Sequence, residues 1–216
     1  MGYEILSEPR DKDLTKQEVH DFYEAGCEAV QAVDPVTPCI VGSASYYKMY
    51  TFTSDVIISS NKNVIYTFDY FDPDYYVFGE DQVPLYPGVY PCNYLYSGWS
   101  SECCPLGAKA NTTFDYDWNR GNFDTWALPV RDGFDVPVFV NQWSTVHGLS
   151  AEAGRFQFMS DVASVMQDLN IGWTWWMFRG GGGDGWAHGS SELVYMYENG
   201  TLEVDQQAVD ALTPYM

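Results

Sequence analysis

The sequence predicts an α/β fold, a parallel sheet with outer helices, that forms part of a (β/α)8 TIM barrel. The chain of 216 residues alternates short apolar runs with longer amphipathic stretches, and long loops follow several of the runs. The runs lack period-two alternation, which favours strands buried on both faces of a parallel sheet. A doubly wound sheet is the alternative, but no Gly-rich phosphate turn follows a predicted strand. Gly180–Gly183 lacks the Lys-Ser/Thr of a phosphate loop and is interpreted as a flexible loop.

Five apolar runs are predicted to be the strands. Each is short and is bounded by polar or turn-forming residues. The first starts almost at the N-terminus, which has neither the basic start nor the long apolar core of a signal peptide, so we expect upstream sequence to be missing. The predicted strands are Tyr3–Ser7, Pro38–Gly42, Val64–Asp69, Val136–Gln142 and Ile171–Phe178.

Three amphipathic stretches are predicted to be helices. Thr15-Lys16-Gln17-Glu18 is a capping box that opens the first, and Asp34-Pro35 ends it. The second spans Ser150–Asn170 and the third Glu203–Leu212. Apolar residues at helical spacing are expected to face the core. In the first two helices they are Val19, Phe22, Tyr23, Ala29, Val30, Val33, Phe156, Met159, Ala163, Met166 and Leu169.

Residues 70–112 are predicted to be one long irregular insertion, rich in Tyr, Pro and Cys. A loop of that length inside a compact domain is usually functional. Residues 1–216 as a whole, with this insertion, are interpreted as a single domain that lacks its N-terminal barrel strands.

Composition narrows the possible partners. The formal net charge is −20, with 30 acidic residues against 10 Lys and Arg. This charge argues against nucleic acid and against anionic membrane surfaces. Aromatic residues make up 17% of the chain, and such rings stack on the apolar C–H faces of sugars, so a neutral oligo- or polysaccharide is the favoured partner. A merely aromatic core is the competing interpretation.

The cysteines and two sequons favour a secreted glycoprotein. The spacing of the cysteines and histidines fits no zinc site, and nothing indicates a cofactor. Cys27 is predicted to pair with Cys39, and Cys92 with Cys103 or Cys104, which leaves one cysteine without a partner. The predicted glycosylation sites are Asn111 and Asn199.

Polar and aromatic residues at the ends of the predicted strands are the candidate site. In a barrel the chemistry lies at these carboxyl ends. Glu8 follows the first strand, where Pro9 ends it. The other candidates are Asp69 and Tyr70 after the third strand, Asn141, Gln142 and Trp143 after the fourth, and Trp175 and Trp176 on the fifth.

These segments resemble glycoside hydrolase family five, the cellulase or endoglucanase type of clan A. Gly2–Arg10, with Ser7-Glu8-Pro9, resembles the strand-four signature Asn/Ser-Glu-Pro, whose Glu is the general acid/base. The later segments resemble strands six, seven and eight in the family's order. They are Val64–Phe71, Pro137–Trp143 and Gly172–Arg179. The resemblance implies strands four to eight of the barrel, Glu8 as acid/base and a Trp platform beneath the sugar.

Two positions depart from the family pattern. Gln142 stands where the family has its nucleophilic Glu, and Asp69 stands where it usually has His. Retaining hydrolysis needs two carboxyl groups about 5–5.5 Å apart, so a neutral amide implies weak or lost turnover. Asp69 could instead act with Glu8 in an inverting reaction, which needs about 6.5–9.5 Å.

Three functions follow as hypotheses. The first is an active β-glycosidase acting on cellulose, β-glucan or mannan. The second is a non-catalytic relative that binds glycan through its Trp residues and the aromatic loop. The third is a structural or assembly protein whose sheet is completed by another chain or by a missing N-terminal segment.

Overall fold

The structure is a computed structural model. It describes residues 2–10, 14–58, 63–78, 85–91, 95, 111–146, 153–178, 191–196 and 201–216. The chain forms two compact units. The first consists of Met1–Tyr70, Asn122–Asn141 and Ile171–Trp173, and the second of Phe71–Gly121, Gln142–Asn170 and Thr174–Met216.

A five-stranded parallel sheet confirms the predicted fold class of a partial (β/α)8 barrel. The strand order is β1-β2-β3-β6-β7, which follows the chain. The strands are β1 (Tyr3–Glu4), β2 (Cys39–Gly42), β3 (Val64–Tyr70), β6 (Val138–Trp143) and β7 (Gly172–Trp175). All five predicted strands therefore exist, with ends shifted by a few residues.

The first strand is shorter than predicted. Its register is parallel, with Tyr3 opposite Cys39 and Glu4 opposite Ile40. After Glu4 the chain bends, and Glu8 has a left-handed φ of 45°. Ile5 packs close to Gly26, which lies in the first helix, and a Cβ atom at Gly26 would be only 2.6 Å from the Cγ2 atom of Ile5. This contact holds the bent segment against the helix.

Helix α1 (Lys16–Gln31) begins with the predicted capping box. The Thr15 side chain accepts from the Glu18 N–H, and the Glu18 carboxylate accepts from the Thr15 N–H at 2.8 Å. The predicted apolar face is partly wrong, because Phe22 is 52% exposed and Val33 lies beyond the helix end and is 88% exposed. The buried stripe runs at four-residue spacing through Val19, Tyr23 and Cys27.

Aromatic rings form much of the core of the first unit. Phe68 lies between Phe52, at 5.2 Å between ring centroids, and Phe123, at 5.9 Å. Phe123 belongs to a π-helical turn (Phe123–Ala127) that leads into α4 (Leu128–Phe134). The sequence interpretation contained no helix here, although Phe123, Ala127 and Val130 are buried at helical spacing.

The second unit contains regular structure where an irregular loop was expected. Within 70–112 lie α2 (Asp74–Val77) and β4 (Gly88–Pro91), and β4 pairs antiparallel with β5 (Asn111–Phe114). The strand was not predicted because its alternation spans only four residues, which follow Pro87 and end at Pro91. Helix α3 (Tyr116–Asn122) follows, and the Asp115 carboxylate accepts from the Trp118 N–H.

Helices α5 (Arg155–Asp168) and α6 (Gln206–Leu212) correspond to the second and third predicted helices. Phe156 is not fully buried, and Phe158 takes its expected place in the core. Residues 202–204 do not belong to α6 but form β9 (Leu202–Val204), which pairs antiparallel with β8 (Val194–Met196). Asp205 then caps α6 by accepting from the Ala208 N–H.

The Cys27–Cys39 disulfide is confirmed, and both residues are fully buried. It joins α1 to the start of β2 across 12 residues of sequence, with the Cα atoms 5.7 Å apart. Cys92, Cys103, Cys104 and Gly180–Gly183 lie outside the described residues, so the other predicted pairing stays a prediction.

Replacing both Cys27 and Cys39 by Ala should lower the free energy of unfolding by about 3 kcal/mol, because the unfolded chain regains the freedom of a short closed loop. Urea titration of the double variant and the unaltered protein, both without reductant, measures this. Equal unfolding midpoints would show that the bridge does not constrain the unfolded chain.

Candidate active site

Glu8 lies in the bent segment after β1 and is partly exposed, whereas Pro9 is buried. The backbone on both sides of Glu8 is held. The Leu6 carbonyl accepts from the phenols of Tyr23, at 3.0 Å, and Tyr47, and the Pro9 carbonyl accepts from the Tyr46 N–H at 3.0 Å. The structure thus fixes the backbone that carries the predicted acid/base.

Asp69 lies near the end of β3 with 3% of its surface exposed. Its N–H donates to the Tyr47 carbonyl at 2.7 Å, and Lys48 forms a parallel bridge with it. Burial is the main cause of the raised pKa of the Tyr47 phenol, and the nearby Asp69 charge adds to it. Asp69 and the segment that holds Glu8 therefore share Tyr47 as a neighbour.

Tyr70 and Asn141 are engaged inside the first unit. Tyr70 is buried, with its ring 5.0 Å from that of Phe123 and its hydroxyl accepting from the Asn122 amide at 3.3 Å. The Asn141 amide donates to Glu4 Oε1 at 3.0 Å. Because the Tyr70 ring is covered by protein, it offers no free face for a sugar to stack on.

The second unit contains the remaining candidates. Gln142 is partly exposed, and Trp143 is fully buried with its ring edge-to-face against Trp175 at 4.9 Å. The Trp175 Nε1–H donates to the Ser191 carbonyl at 2.8 Å, and the Trp176 N–H donates to the Trp143 carbonyl at 3.0 Å. Trp176 is 47% exposed, so it is the most accessible of the three tryptophans.

The segment that follows β6 is anchored by a buried ion pair that sequence reasoning missed. Arg155, at the start of α5, pairs with Asp205, and its Nε–H donates to the Thr145 hydroxyl at 3.1 Å. The Val146 N–H donates to the Val77 carbonyl at 2.9 Å. Arg155 is the first residue of α5, and Asp205 is the N-cap of α6. Nothing in the local sequence around either residue indicates that the two side chains pair.

Asn111 is exposed at the start of β5, and Asn199 lies outside the described residues. Within the described ranges no group of three or more His, Cys, Asp or Glu side chains could hold a metal ion. No helix in the same part of the chain is long and apolar enough to cross a membrane.

The comparisons with known proteins identify the family. The profile of Cellulase (glycosyl hydrolase family 5) matches residues 1–182. The chain belongs to glycosyl hydrolase family 5. No curated protein matches the chain at a significant level.

Solved structures support the fold. The cellulose synthase subunit Z from Clostridioides difficile aligns with a TM-score of 0.68 at 16% identity, over 98% of this chain and 60% of that one. A hyperthermophilic endo-β-1,4-glucanase, solved with substrate, gives 0.67 at 15%, over 98% and 59%. Cel5A from Thermotoga maritima, solved with mannotriose, gives 0.67 at 16%, over 97% and 58%. The chain spans about 60% of the length of these structures.

Burial raises the pKa of the Tyr23 phenol to about 12, which makes the protein sensitive to alkali. The unfolded phenol titrates near 10, so above that pH the unfolded chain binds fewer protons than the folded one, and stability present below pH 10 is lost as pH rises. Between pH 10 and 12 the free energy of unfolding of the unaltered chain should fall by about 2–3 kcal/mol more than that of Tyr23→Phe. Urea titrations at several pH values measure the difference, and parallel pH profiles would contradict it.

Proposed function

We propose that this family 5 chain binds a neutral β-linked polysaccharide of the cellulose, β-glucan or mannan type and hydrolyses it weakly or not at all. The observation that carries the proposal is Gln142, next to last in β6, which the sequence resemblance aligns with the family's nucleophile. Glu8 keeps the acid/base position, so one of the two required carboxyl groups is present.

The chemistry of the amide explains the expected deficit. A carboxylate attacks the anomeric carbon and offsets the positive charge of the oxocarbenium-like transition state. A neutral amide does neither well, yet it retains hydrogen-bonding capacity for sugar hydroxyls. Binding is therefore expected to survive where turnover does not.

The substrate class is inferred from relatives and from composition. Cel5A from Thermotoga maritima was solved with mannotriose and with cellobiose, which are neutral oligosaccharides. A net charge of −20 suits a neutral glycan and disfavours an anionic one. Secretion is part of the same proposal, and the disulfide is typical of an oxidising compartment.

The inverting alternative with Asp69 receives less support. Asp69 is almost fully buried, and its neighbourhood includes Tyr47 and Lys48. A general base that activates water needs access to that water and to the sugar. These contacts favour a local role for Asp69 in holding the end of β3.

An assembly role is the second candidate, and the sheet order favours it. Among the described residues, strands β1 and β7 stand at the two ends of the order, and the end of an open sheet is where another segment can add a strand. In this alternative another chain or an N-terminal segment completes the barrel, and glycan binding is absent or secondary.

Gln142→Glu is expected to raise hydrolysis of soluble cellulose or mannan at least a hundredfold, because it restores the second carboxylate. Release of reducing ends by the purified variant measures this, and the double variant Gln142→Glu/Glu8→Gln is the matched control, which should be inactive again. Turnover by the unaltered protein equal to that of Gln142→Glu would overturn the assignment of position 142.

Trp176→Ala in the otherwise unaltered chain should weaken binding of a soluble β-glucan or mannan at least tenfold, about 1.4 kcal/mol, because it removes the exposed ring. Affinity electrophoresis or calorimetry measures this. Phe22→Ala, which removes an exposed ring on α1, is the control and should bind normally. Absence of binding by the unaltered chain would favour the assembly role instead.

A further inference from the structure

We propose that Tyr47 is a positioning residue for Glu8. Its phenol holds the Leu6 carbonyl two residues before Glu8, and the turn that contains it holds the Pro9 carbonyl one residue after. The inference rests on the proposed function in one respect, namely that Glu8 occupies the acid/base position.

The segment that carries Glu8 needs support from outside the sheet. Pairing of β1 with β2 covers Tyr3 and Glu4, and the residues from Ile5 to Glu8 form a bend. The direction of the Glu8 side chain is therefore set by whatever fixes this bend. A misplacement of about 1 Å in a catalytic group can lower a rate a hundredfold.

Two buried phenols converge on the bend. The Tyr47 hydroxyl donates to the Leu6 carbonyl, which also lies 3.0 Å from the Tyr23 hydroxyl. The two hydroxyls are 3.1 Å apart. Since each phenol has one proton and a carbonyl has two lone pairs, Tyr23 can donate to Leu6 or to Tyr47 while Tyr47 donates to Leu6.

The turn containing Tyr47 makes the second set of contacts. Tyr46 and Tyr47 have φ values of 52° and 55°, a left-handed conformation that costs non-glycine residues about 1–2 kcal/mol each. In this conformation the Tyr46 N–H donates to Pro9, and the Tyr47 carbonyl accepts from Asp69. Such strain persists where surrounding contacts over-determine the backbone.

The Tyr47 ring is seated independently of its hydroxyl. A Cβ at Gly42 would lie 2.6 Å from the Cδ1 atom of Tyr47, so this glycine makes room for the ring against β2. Burial raises the pKa of both Tyr23 and Tyr47, which keeps the phenols protonated as donors at neutral pH. Tyr47→Phe therefore removes one of the two phenol donors that reach the Leu6 carbonyl, and it leaves the packing of the Tyr47 ring intact.

The kinetic test compares Tyr47→Phe with Tyr66→Phe, both in the Gln142→Glu background. Tyr66 is a buried tyrosine of β3 whose hydroxyl accepts from the Ile58 N–H at 3.0 Å, so its loss leaves a similar unsatisfied group that has no part in the Leu6 contact. The substrates are aryl β-cellobiosides or β-mannobiosides, whichever the background variant cleaves. Departure of phenol depends on protonation by Glu8, because the phenolate anion is a poor leaving group. The 2,4-dinitrophenolate anion leaves without protonation.

For Tyr47→Phe we expect kcat/KM to fall at least tenfold for the phenyl glycoside and less than threefold for the 2,4-dinitrophenyl glycoside, with KM unchanged. Tyr66→Phe should change kcat/KM by the same factor for both substrates. An equal loss on both substrates for Tyr47→Phe would show that the residue supports stability only and would overturn the proposal.

Amide hydrogen exchange tests the same contact without turnover, in the full chain with Gln142 in place. In Tyr47→Phe, protection of the Tyr46 amide should fall at least tenfold more than that of the Tyr66 amide, which donates to Pro137 at 2.9 Å in the sheet. In Tyr66→Phe the Tyr46 amide should keep its protection. If Gln142→Glu proves inactive, the assignment of position 142 in the proposed function fails, and this measurement still decides whether Tyr47 holds the segment that carries Glu8. Unchanged protection at Tyr46 would overturn the proposal.

Discussion

Parallel pairing of β2 with β3 is the constraint on which the rest of the first unit depends. In β3 nearly every residue is buried, because a parallel sheet has both faces covered. The chain leaving Gly42 must therefore turn at the carboxyl edge of the sheet. There Tyr47 meets the Leu6 carbonyl, and its own carbonyl meets Asp69. The turn that contains Tyr47 thus connects the segment of Glu8, the predicted acid/base, to the end of β3.

The aromatic residues have a structural use besides the sugar binding that composition suggested. Many of the large rings of the described residues lie in the cores of the two units, for example Tyr76 and Tyr86 packed around Phe114 in the second unit. Burying a tyrosine requires a partner for its hydroxyl, and the partners are present. Tyr76 donates to the Ala153 carbonyl, and Tyr86 donates to the Asp161 carboxylate. Under the proposed function, sugar binding falls to exposed rings such as that of Trp176.

The sequence predicted what depends on local pattern. All five strands, the capping box at Thr15 and the Cys27–Cys39 bridge were recognisable because each is specified by adjacent residues or short spacing. The hydrogen bonds of Tyr23 and Tyr47 to the Leu6 carbonyl were not recognisable, since these residues lie 17 and 41 positions from Leu6 in the sequence. Only tertiary folding brings them together. Trp143 was expected to contact the sugar, but its ring is fully buried. The position of a residue in a strand does not show which other side chains will cover it.

Under the proposed function, the residue at position 142 affects glycan binding and turnover differently. Holding Glu8 between two fixed carbonyls requires strained backbone at Tyr46, Tyr47 and Glu8, a cost that exists whatever stands at 142. A glutamine there removes a negative charge and supplies two N–H donors that a carboxylate lacks. Sugar hydroxyls both donate and accept, so an amide suits a bound neutral glycan as well as a carboxylate does. The transition state differs, because it carries positive charge that only the carboxylate offsets. Under the proposed function, glutamine at position 142 therefore affects turnover and leaves binding intact.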